Sequence, residues 1–214
     1  MKKIKVTSFI TIIFYTLITL SNAYLIISGQ NMNYELIGNL IFNLIIDIGF
    51  LLILIFGIKK MIDIHHDLSN PLLIFLILKI IETFMFALEP FSFLLLYDDR
   101  KLITYIFITE IIPFILLIFA MNLTFLYSTS WSRKTKFDFL EWCIYICLGF
   151  ALVGRFIGIA KFPQNVESYK EFANTIFFIL LSILLISQKK RILKWQKEQI
   201  LFLSDRTVFG LKRL

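Results

Sequence analysis

Six ionisable residues lie deep within the long apolar stretches of this 214-residue chain, and they are the residues most able to do chemistry. They are Asp47, Lys79, Glu82, Glu89, Glu110 and Arg155. A charge inside a membrane-like environment is costly, so it is retained where it faces protein or water. Because four acids meet only two bases here, we expect some carboxyl groups to be protonated, to bind a cation or to reach water.

Glu89 and Glu110 form the outer part of this set. Both lie at the same distance from the centre of the charged turn at 98–101, so two antiparallel helices would place them at one depth. A proline follows each acid within three residues, and prolines in membrane helices free backbone carbonyl groups that can join a polar site. Arg155 falls at a similar depth, and its guanidinium could bridge the two carboxylates.

Asp47, Lys79 and Glu82 form the deeper part. Lys79 and Glu82 lie one helical turn apart on one face, a spacing at which they can neutralise each other. Asp47 then remains as the acid with no obvious cationic partner. Counting from the connection between the first two apolar stretches places it level with Tyr15, whose hydroxyl could donate a hydrogen bond to it.

Uncharged polar residues extend this pattern along two stretches. Ser8, Thr11, Tyr15, Thr19 and Asn22 share one helical face of the first stretch. Asn39, Asn43 and Asp47 recur at every fourth residue of the second. Lipid offers no hydrogen-bond partners, so we expect both stripes to face the interior of a helical bundle.

A face of small residues marks the fifth stretch. Its members are Cys143, Cys147, Ala151, Gly154 and Gly158. Small side chains let a second helix approach closely, either within the same molecule or in a homo-oligomer. The two cysteines are one turn apart on one helix, which is unsuitable for a disulfide, so they indicate no redox compartment.

The elements that must position these residues are six apolar stretches of membrane-spanning length. They run over about 6–28, 36–58, 72–97, 102–127, 139–160 and 169–188. A helix needs about 20 residues to cross a bilayer core, and 58% of the chain is hydrophobic. The sequence therefore predicts an all-α, polytopic integral membrane protein, with a six-helix transmembrane domain over 1–188.

Lys and Arg cluster in alternate connections. They precede the first stretch, follow the second and fourth, and fill the segment after the sixth, whereas the other connections are poor or balanced in charge. The positive-inside rule then places both termini in the cytoplasm of a cell carrying this protein in its inner or plasma membrane. Two alternatives remain open: residues 1–23 resemble a cleavable signal peptide, and the sixth stretch could be re-entrant.

The segment 189–214 predicts a basic amphipathic helix. From Gln188 to Ser204 its apolar residues cover one half of a helical wheel and its charged residues most of the other half. Such a helix suits the inner headgroup layer of the bilayer, or it extends the sixth helix towards a protein partner.

The remaining chemistry signals are weak. Asp63, His65, His66 and Asp67 could bind a divalent metal, but no further ligand follows at a recognisable spacing, so we predict neither a metal site nor a cofactor. Hydrolase, zinc-protease and phosphate-loop motifs are missing from the sequence. The net charge of +7 follows the membrane topology and does not indicate nucleic-acid binding.

Three functions fit these observations. The leading hypothesis is transport or conduction of a proton, a metal ion or a small cationic solute through the acid-rich interior. The second is an accessory or regulatory subunit that binds a partner membrane protein through the small-residue face and the basic tail. The third is an intramembrane enzyme that uses scattered residues.

Overall fold

The computed structural model describes residues 2–28, 34–63, 70–85, 100–129, 136–161 and 166–211, and all of them are helical. The helices are α1 (Lys2–Ser28), α2 (Tyr34–Asp63), α3 (Asn70–Met85), α4 (Arg100–Ile106), α5 (Ile112–Thr129), α6 (Lys136–Lys161) and α7 (Val166–Leu211). A five-residue π-helical segment, Phe107–Ile111, joins α4 to α5, so 100–129 is one continuous helix.

Four helical segments are long and apolar enough to cross a membrane. They are Ile41–Met61, Leu102–Thr129, Phe139–Lys161 and Ser168–Lys194. α1 contains a shorter apolar segment, Ile4–Leu20. The outer surface is itself apolar: Phe9, Trp142 and Phe150 are between 65% and 67% exposed. The all-α class is confirmed, and these long apolar helices support a membrane protein.

Five helices pack side by side into a ring. α1, α2, α3, α5 and α7 each contact the next in that order, and α7 returns to α1. α6 packs against both α5 and α7, which also touch each other, so α6 lies beside the ring. Rings of Tyr15, Phe75 and Phe177 meet inside it with centroids 4.8–5.8 Å apart. Packed aromatic side chains therefore fill the space inside the ring of helices.

The directions of the helices follow from side-chain contacts. Gly57 lies against Leu72, and the rings of Phe50 and Phe75 are 5.7 Å apart, so α2 and α3 are antiparallel. Contacts of Lys189 with Ser128 and of Arg191 with Met61 bring the carboxyl ends of α5 and α2 to one level of α7. The carboxyl ends of α2 and α5 thus lie beside the basic residues 189–191 of α7, and we refer to this as the inner end of the bundle.

α7 is a single helix of 46 residues. At 1.5 Å per residue it is about 69 Å long, more than twice the thickness of a bilayer core of about 30 Å. The predicted sixth stretch and the predicted tail therefore belong to one helix, with no break at Gln188. Side chains beyond Glu198 lie outside the description.

Candidate functional site

A cluster of charged residues lies between α1, α2 and α3, with Asp47 and Lys79 buried and the Glu82 side chain 29% exposed. Lys79 Nζ is 2.6 Å from Glu82 Oε2 and 3.9 Å from Asp47 Oδ1. Tyr15 donates a hydrogen bond of 3.4 Å from its hydroxyl to Asp47 Oδ1. Asp47 and Lys79 are each 8% exposed and Tyr15 is 1% exposed. We call Tyr15, Asp47, Lys79 and Glu82 the central cluster.

Aromatic rings surround the ammonium group of the central cluster. Lys79 Nζ is 4.3 Å from the ring centroid of Phe50 and 5.2 Å from that of Tyr15. Ring faces attract a cation most strongly where water is excluded. Two carboxylates and two aromatic rings therefore contact the lysine side chain, and the cluster carries two acids for one base.

The prediction that Asp47 lacks a cationic partner was wrong. Asp47 lies about seven residues deeper than Lys79 when both are counted from the connection between α2 and α3, which is roughly 10 Å along the helix axis. A lysine side chain can span much of that separation, and counting backbone depth ignores it. The hydrogen bond predicted between Tyr15 and Asp47 is present.

The stripe predicted on the second stretch does not continue as an interior face. Asn43, one turn from Asp47, is exposed on the outside of the bundle. The side chain of Asn39 lies outside the description. The polar face predicted on α1 is interior: Ser8, Thr11 and Thr19 are all at most 6% exposed.

A second cluster surrounds Arg155 at the other end of the bundle. Its guanidinium donates to Glu110 Oε2 in a close ion pair and, over 3.3 Å, to Glu171 Oε2. Arg155 Nη1 also donates to the carbonyl oxygen of Thr109 over 3.4 Å. Arg155 is only 4% exposed, whereas the two carboxylate side chains are about one-third exposed. We call Glu110, Arg155 and Glu171 the outer cluster.

The sequence around Pro113 explains why Arg155 binds a backbone carbonyl. In a regular helix the carbonyl of Thr109 would accept from the residue four positions later, which is Pro113 and has no N–H. The backbone N–H of Ile112 instead bonds to Phe107 O, five residues back, and this defines the π-helical segment. Arg155 therefore supplies a donor where proline removed one.

The small-residue face of α6 allows the close approach that this arrangement needs. A Cβ atom on Gly154 would lie 2.4 Å from Pro113 Cγ and 3.1 Å from Ile108 O. Gly158 faces Thr109 and Glu110, and the Tyr105 hydroxyl donates to Ile157 O over 3.1 Å. The glycine part of the face is thus covered by the 100–129 helix of the same molecule.

The rest of that face is also largely covered. Ala151 is fully buried and Cys147 is 9% exposed, while Cys143 is partly exposed. Both cysteines are free thiols. This surface contributes to packing inside the monomer.

Glu89, predicted to face Glu110, lies outside the described residues. Sequence reasoning missed Glu171, which lies near the start of the predicted sixth stretch. Arg155 and Glu171 are almost equally far from the connection between α6 and α7, the same counting rule that related Glu89 to Glu110. Applied to this hairpin, the rule would have found the pair.

Three consecutive basic residues hold the inner end together. Lys189 donates to Ser128 O on α5 over 3.3 Å, and Lys190 Nζ lies 2.6 Å from Glu141 Oε2 on α6. Arg191 donates to Met61 O on α2 over 3.2 Å. Cations at the carboxyl end of a helix bind its free carbonyl groups and interact favourably with the negative end of the helix dipole. The basic residues 189–191 of α7 therefore contact three other helices, α2, α5 and α6.

Metal ligands do not gather in the described part of the chain: no group of three or more His, Cys, Asp or Glu side chains is close enough to hold an ion. The candidate residues at 65–67 lie outside that part. No protein-family model, curated protein or solved structure matches this chain. The chemistry open to the two clusters is exchange of a proton or a cation, because each holds two carboxyl groups against one base.

Proposed function

We propose that this chain is a multi-pass cell-membrane protein that moves a proton, a metal ion or a small cationic solute, and that the central cluster is its exchange site. The proposal includes six membrane spans and cytoplasmic termini. It also includes an inner basic segment of α7 with an amphipathic pattern. The alternation of Lys- and Arg-rich connections supports this topology.

The observation that carries the proposal is the charge balance of the central cluster. Lys79 contacts both Asp47 and Glu82 within 4 Å, so one base serves two acids at mid-depth. Asp47 and Lys79 are buried, whereas the Glu82 side chain is 29% exposed. Two carboxylates and one ammonium together carry one net negative charge. A proton or a cation that binds and then leaves would neutralise this charge. Lys79 would then exchange one carboxylate partner for the other.

An accessory or regulatory subunit is the second candidate. The observation favouring it is the packed aromatic centre, where Tyr15, Phe75 and Phe177 are each at most 1% exposed. Gly154 and Gly158 of α6 face the 100–129 helix of the same chain, so the part of the chain best placed to meet a partner protein is the extension of α7. An intramembrane enzyme remains the third and least supported candidate.

Asp47→Asn tests the proposed function. The amide keeps the size and accepts the Tyr15 hydrogen bond, and Lys79 keeps Glu82, so the variant should fold. Proton and monovalent-cation flux into proteoliposomes is measured together with thermal stability in detergent. Loss of flux with an unchanged or raised melting temperature is the expected result.

Glu198→Gln is the matched control for this experiment. The Glu198 side chain is 61% exposed and pairs with Lys194 on the surface of α7. The flux of the Glu198→Gln variant should therefore equal that of the parent protein. Unchanged flux in Asp47→Asn would remove the central cluster from the pathway. Absence of flux in the parent protein, for protons and a panel of cations, would favour the accessory subunit.

The topology is tested separately by cysteine accessibility. Single cysteines are introduced after Met1 and between Gly29 and Glu35, in a chain whose two native cysteines are replaced. An impermeant reagent applied to intact cells should label the loop and spare the terminus. The opposite pattern would show that the orientation is inverted.

A further inference from the structure

Six buried side-chain polar atoms have no partner among the described residues, and all except Arg155 Nε lie towards the inner end of the bundle. Both amide atoms of Gln188, the hydroxyls of Ser8 and Ser128 and Nε of Arg191 have no hydrogen-bond partner among the described residues. Gln188 and Ser128 are fully buried and Ser8 is 2% exposed. Leaving an amide dry and unpaired is costly, so such groups in proteins are normally paired with ordered water.

Contacts already described place these atoms towards the inner end of the bundle. Lys189, next to Gln188, reaches Ser128 O, and Arg191, one turn further, reaches Met61 O. Ser8 lies near the start of α1. The connection between α1 and α2 spans only 29–33, so the carboxyl end of α1 lies beside the start of α2. Because the carboxyl end of α2 is at the inner end, the start of α1 is at the inner end as well.

The contact between Tyr15 and Phe177 relates α1 to α7. Their ring centroids are 4.8 Å apart. Gln188 follows Phe177 by three helical turns on the same face, and Ser8 precedes Tyr15 by two turns on the same face. Both side chains therefore face the α1–α7 interface, about 16 Å and 10 Å inward from the level of Tyr15.

Hydroxyl groups continue from this level to the central cluster. Thr11 lies between Ser8 and Tyr15 on the same face of α1 and is fully buried. Its hydroxyl donates to Thr7 O over 2.7 Å, so its oxygen can still accept a hydrogen bond. Tyr15 in turn donates to Asp47. Polar groups thus line one wall of the interface from Gln188 to Asp47.

We propose that the inner part of the α1–α7 interface binds ordered water, and that this water with Ser8, Thr11 and Tyr15 forms a proton path between the cytoplasmic side and Asp47. The path rests on the proposed function and makes the proton its transported species. A water molecule gives a proton to the Tyr15 oxygen as the Tyr15 hydroxyl proton passes to the Asp47 carboxylate. The water regains a proton from the cytoplasmic side, Tyr15 carries one proton before and after the step, and Asp47 ends in its neutral acid form.

The presence of water can be tested without measuring transport. X-ray radiolytic labelling of the full chain in nanodiscs, with a scavenger for radicals in bulk solvent, oxidises methionines close to bound water. Met61 is fully buried and its carbonyl binds Arg191, so it should be labelled several times faster than Met121, which is 1% exposed and lies deeper on α5. Equal, slow labelling of the two methionines would overturn the proposal.

Gln188→Leu tests the path itself. The leucine fills a similar volume without polar atoms, so proton flux should fall about tenfold, a change of roughly 1.4 kcal/mol in the barrier, and Met61 labelling should fall as well. Ser182→Ala is the control, because Ser182 pairs with Thr124 at the α5–α7 contact, and it should change neither readout. A dry site would give the opposite result: Gln188→Leu would raise the melting temperature and leave flux and labelling unchanged.

The two proposals fail in different ways. If the parent protein shows no flux, the proposed function is wrong, and Met61 labelling still decides whether the interface holds water. If Asp47→Asn stops flux while Gln188→Leu does not, the exchange site stands and the inner path is wrong.

Discussion

Arg155→Met should destabilise the bundle strongly, because it removes the one base that joins three helices at the outer cluster. The guanidinium binds Glu110, Glu171 and the Thr109 carbonyl, and it is 4% exposed. Removing one partner of a buried ion pair costs about 3–5 kcal/mol. The two carboxylate side chains are about one-third exposed and remain partly hydrated, so we expect the lower end, about 3 kcal/mol.

Thermal unfolding in detergent measures this loss. For a chain of this size, about 3 kcal/mol corresponds to a fall in melting temperature of roughly 6–12 °C. Neutralising both acids in the same chain, with Glu110→Gln and Glu171→Gln, should recover most of the loss, because two unpaired carboxylates no longer face each other.

Lys190→Met is the matched control. Lys190 also pairs with an acid, Glu141, but its side chain is 54% exposed, and exposed pairs contribute less than about 1 kcal/mol. A melting temperature of Arg155→Met no lower than that of Lys190→Met would refute the assignment of the outer cluster as a buried tie. Failure of the two glutamine substitutions to restore stability would refute the electrostatic explanation.

Three further outcomes can be measured by the same unfolding assay. Gly154→Ala should cost about 1–3 kcal/mol because its Cβ would overlap the 100–129 helix, whereas Gly149→Ala, with no atom within 4 Å of the new Cβ, should be neutral; equal effects would contradict the close packing. Tyr15→Phe should cost about 1 kcal/mol in the parent chain and almost nothing in Asp47→Asn, and an equal cost in both would show that the hydrogen bond is unimportant. Lys79→Met should lower the free energy of unfolding by about 3–5 kcal/mol, and Asp47→Asn should partly restore it. Absence of any restoration would show that Lys79 and Asp47 do not interact.

Sequence reasoning was most successful where the rule is one-dimensional. Apolar length predicts helices, and the described helices begin within four residues of the predicted stretches. Their ends agree less well, because α7 continues to Leu211, and four of the described segments are long and apolar enough to span a membrane. Counting residues from a short connection placed Tyr15 level with Asp47, and the hydrogen bond between them is present. The same count relates Arg155 to Glu171, although the prediction did not apply it there. These results depend only on helix rise and short connections, which the chain itself specifies.

Facing directions were predicted less well. The stripe of α1 is interior, but Asn43 is exposed although it shares a periodic pattern with the buried Asp47. Periodicity assigns residues to a face, and only the neighbouring helices decide how wide the covered arc of that face is. Among the described residues, α2 packs mainly against α1 and α3, and Asn43 lies on the part of its surface that they do not cover.

Partner choice was decided by the tertiary structure. The sequence by itself determined that charges lie within apolar stretches and that acids outnumber bases among the six deep residues, because these are properties of composition and spacing. Only helix packing decided that Lys79 reaches Asp47, that Arg155 replaces the donor missing at Pro113, and that Gln188 lies buried at the inner end. Each of these depends on distances of a few ångströms between segments far apart in the chain, and hydrogen bonds and ion pairs lose their strength beyond that range.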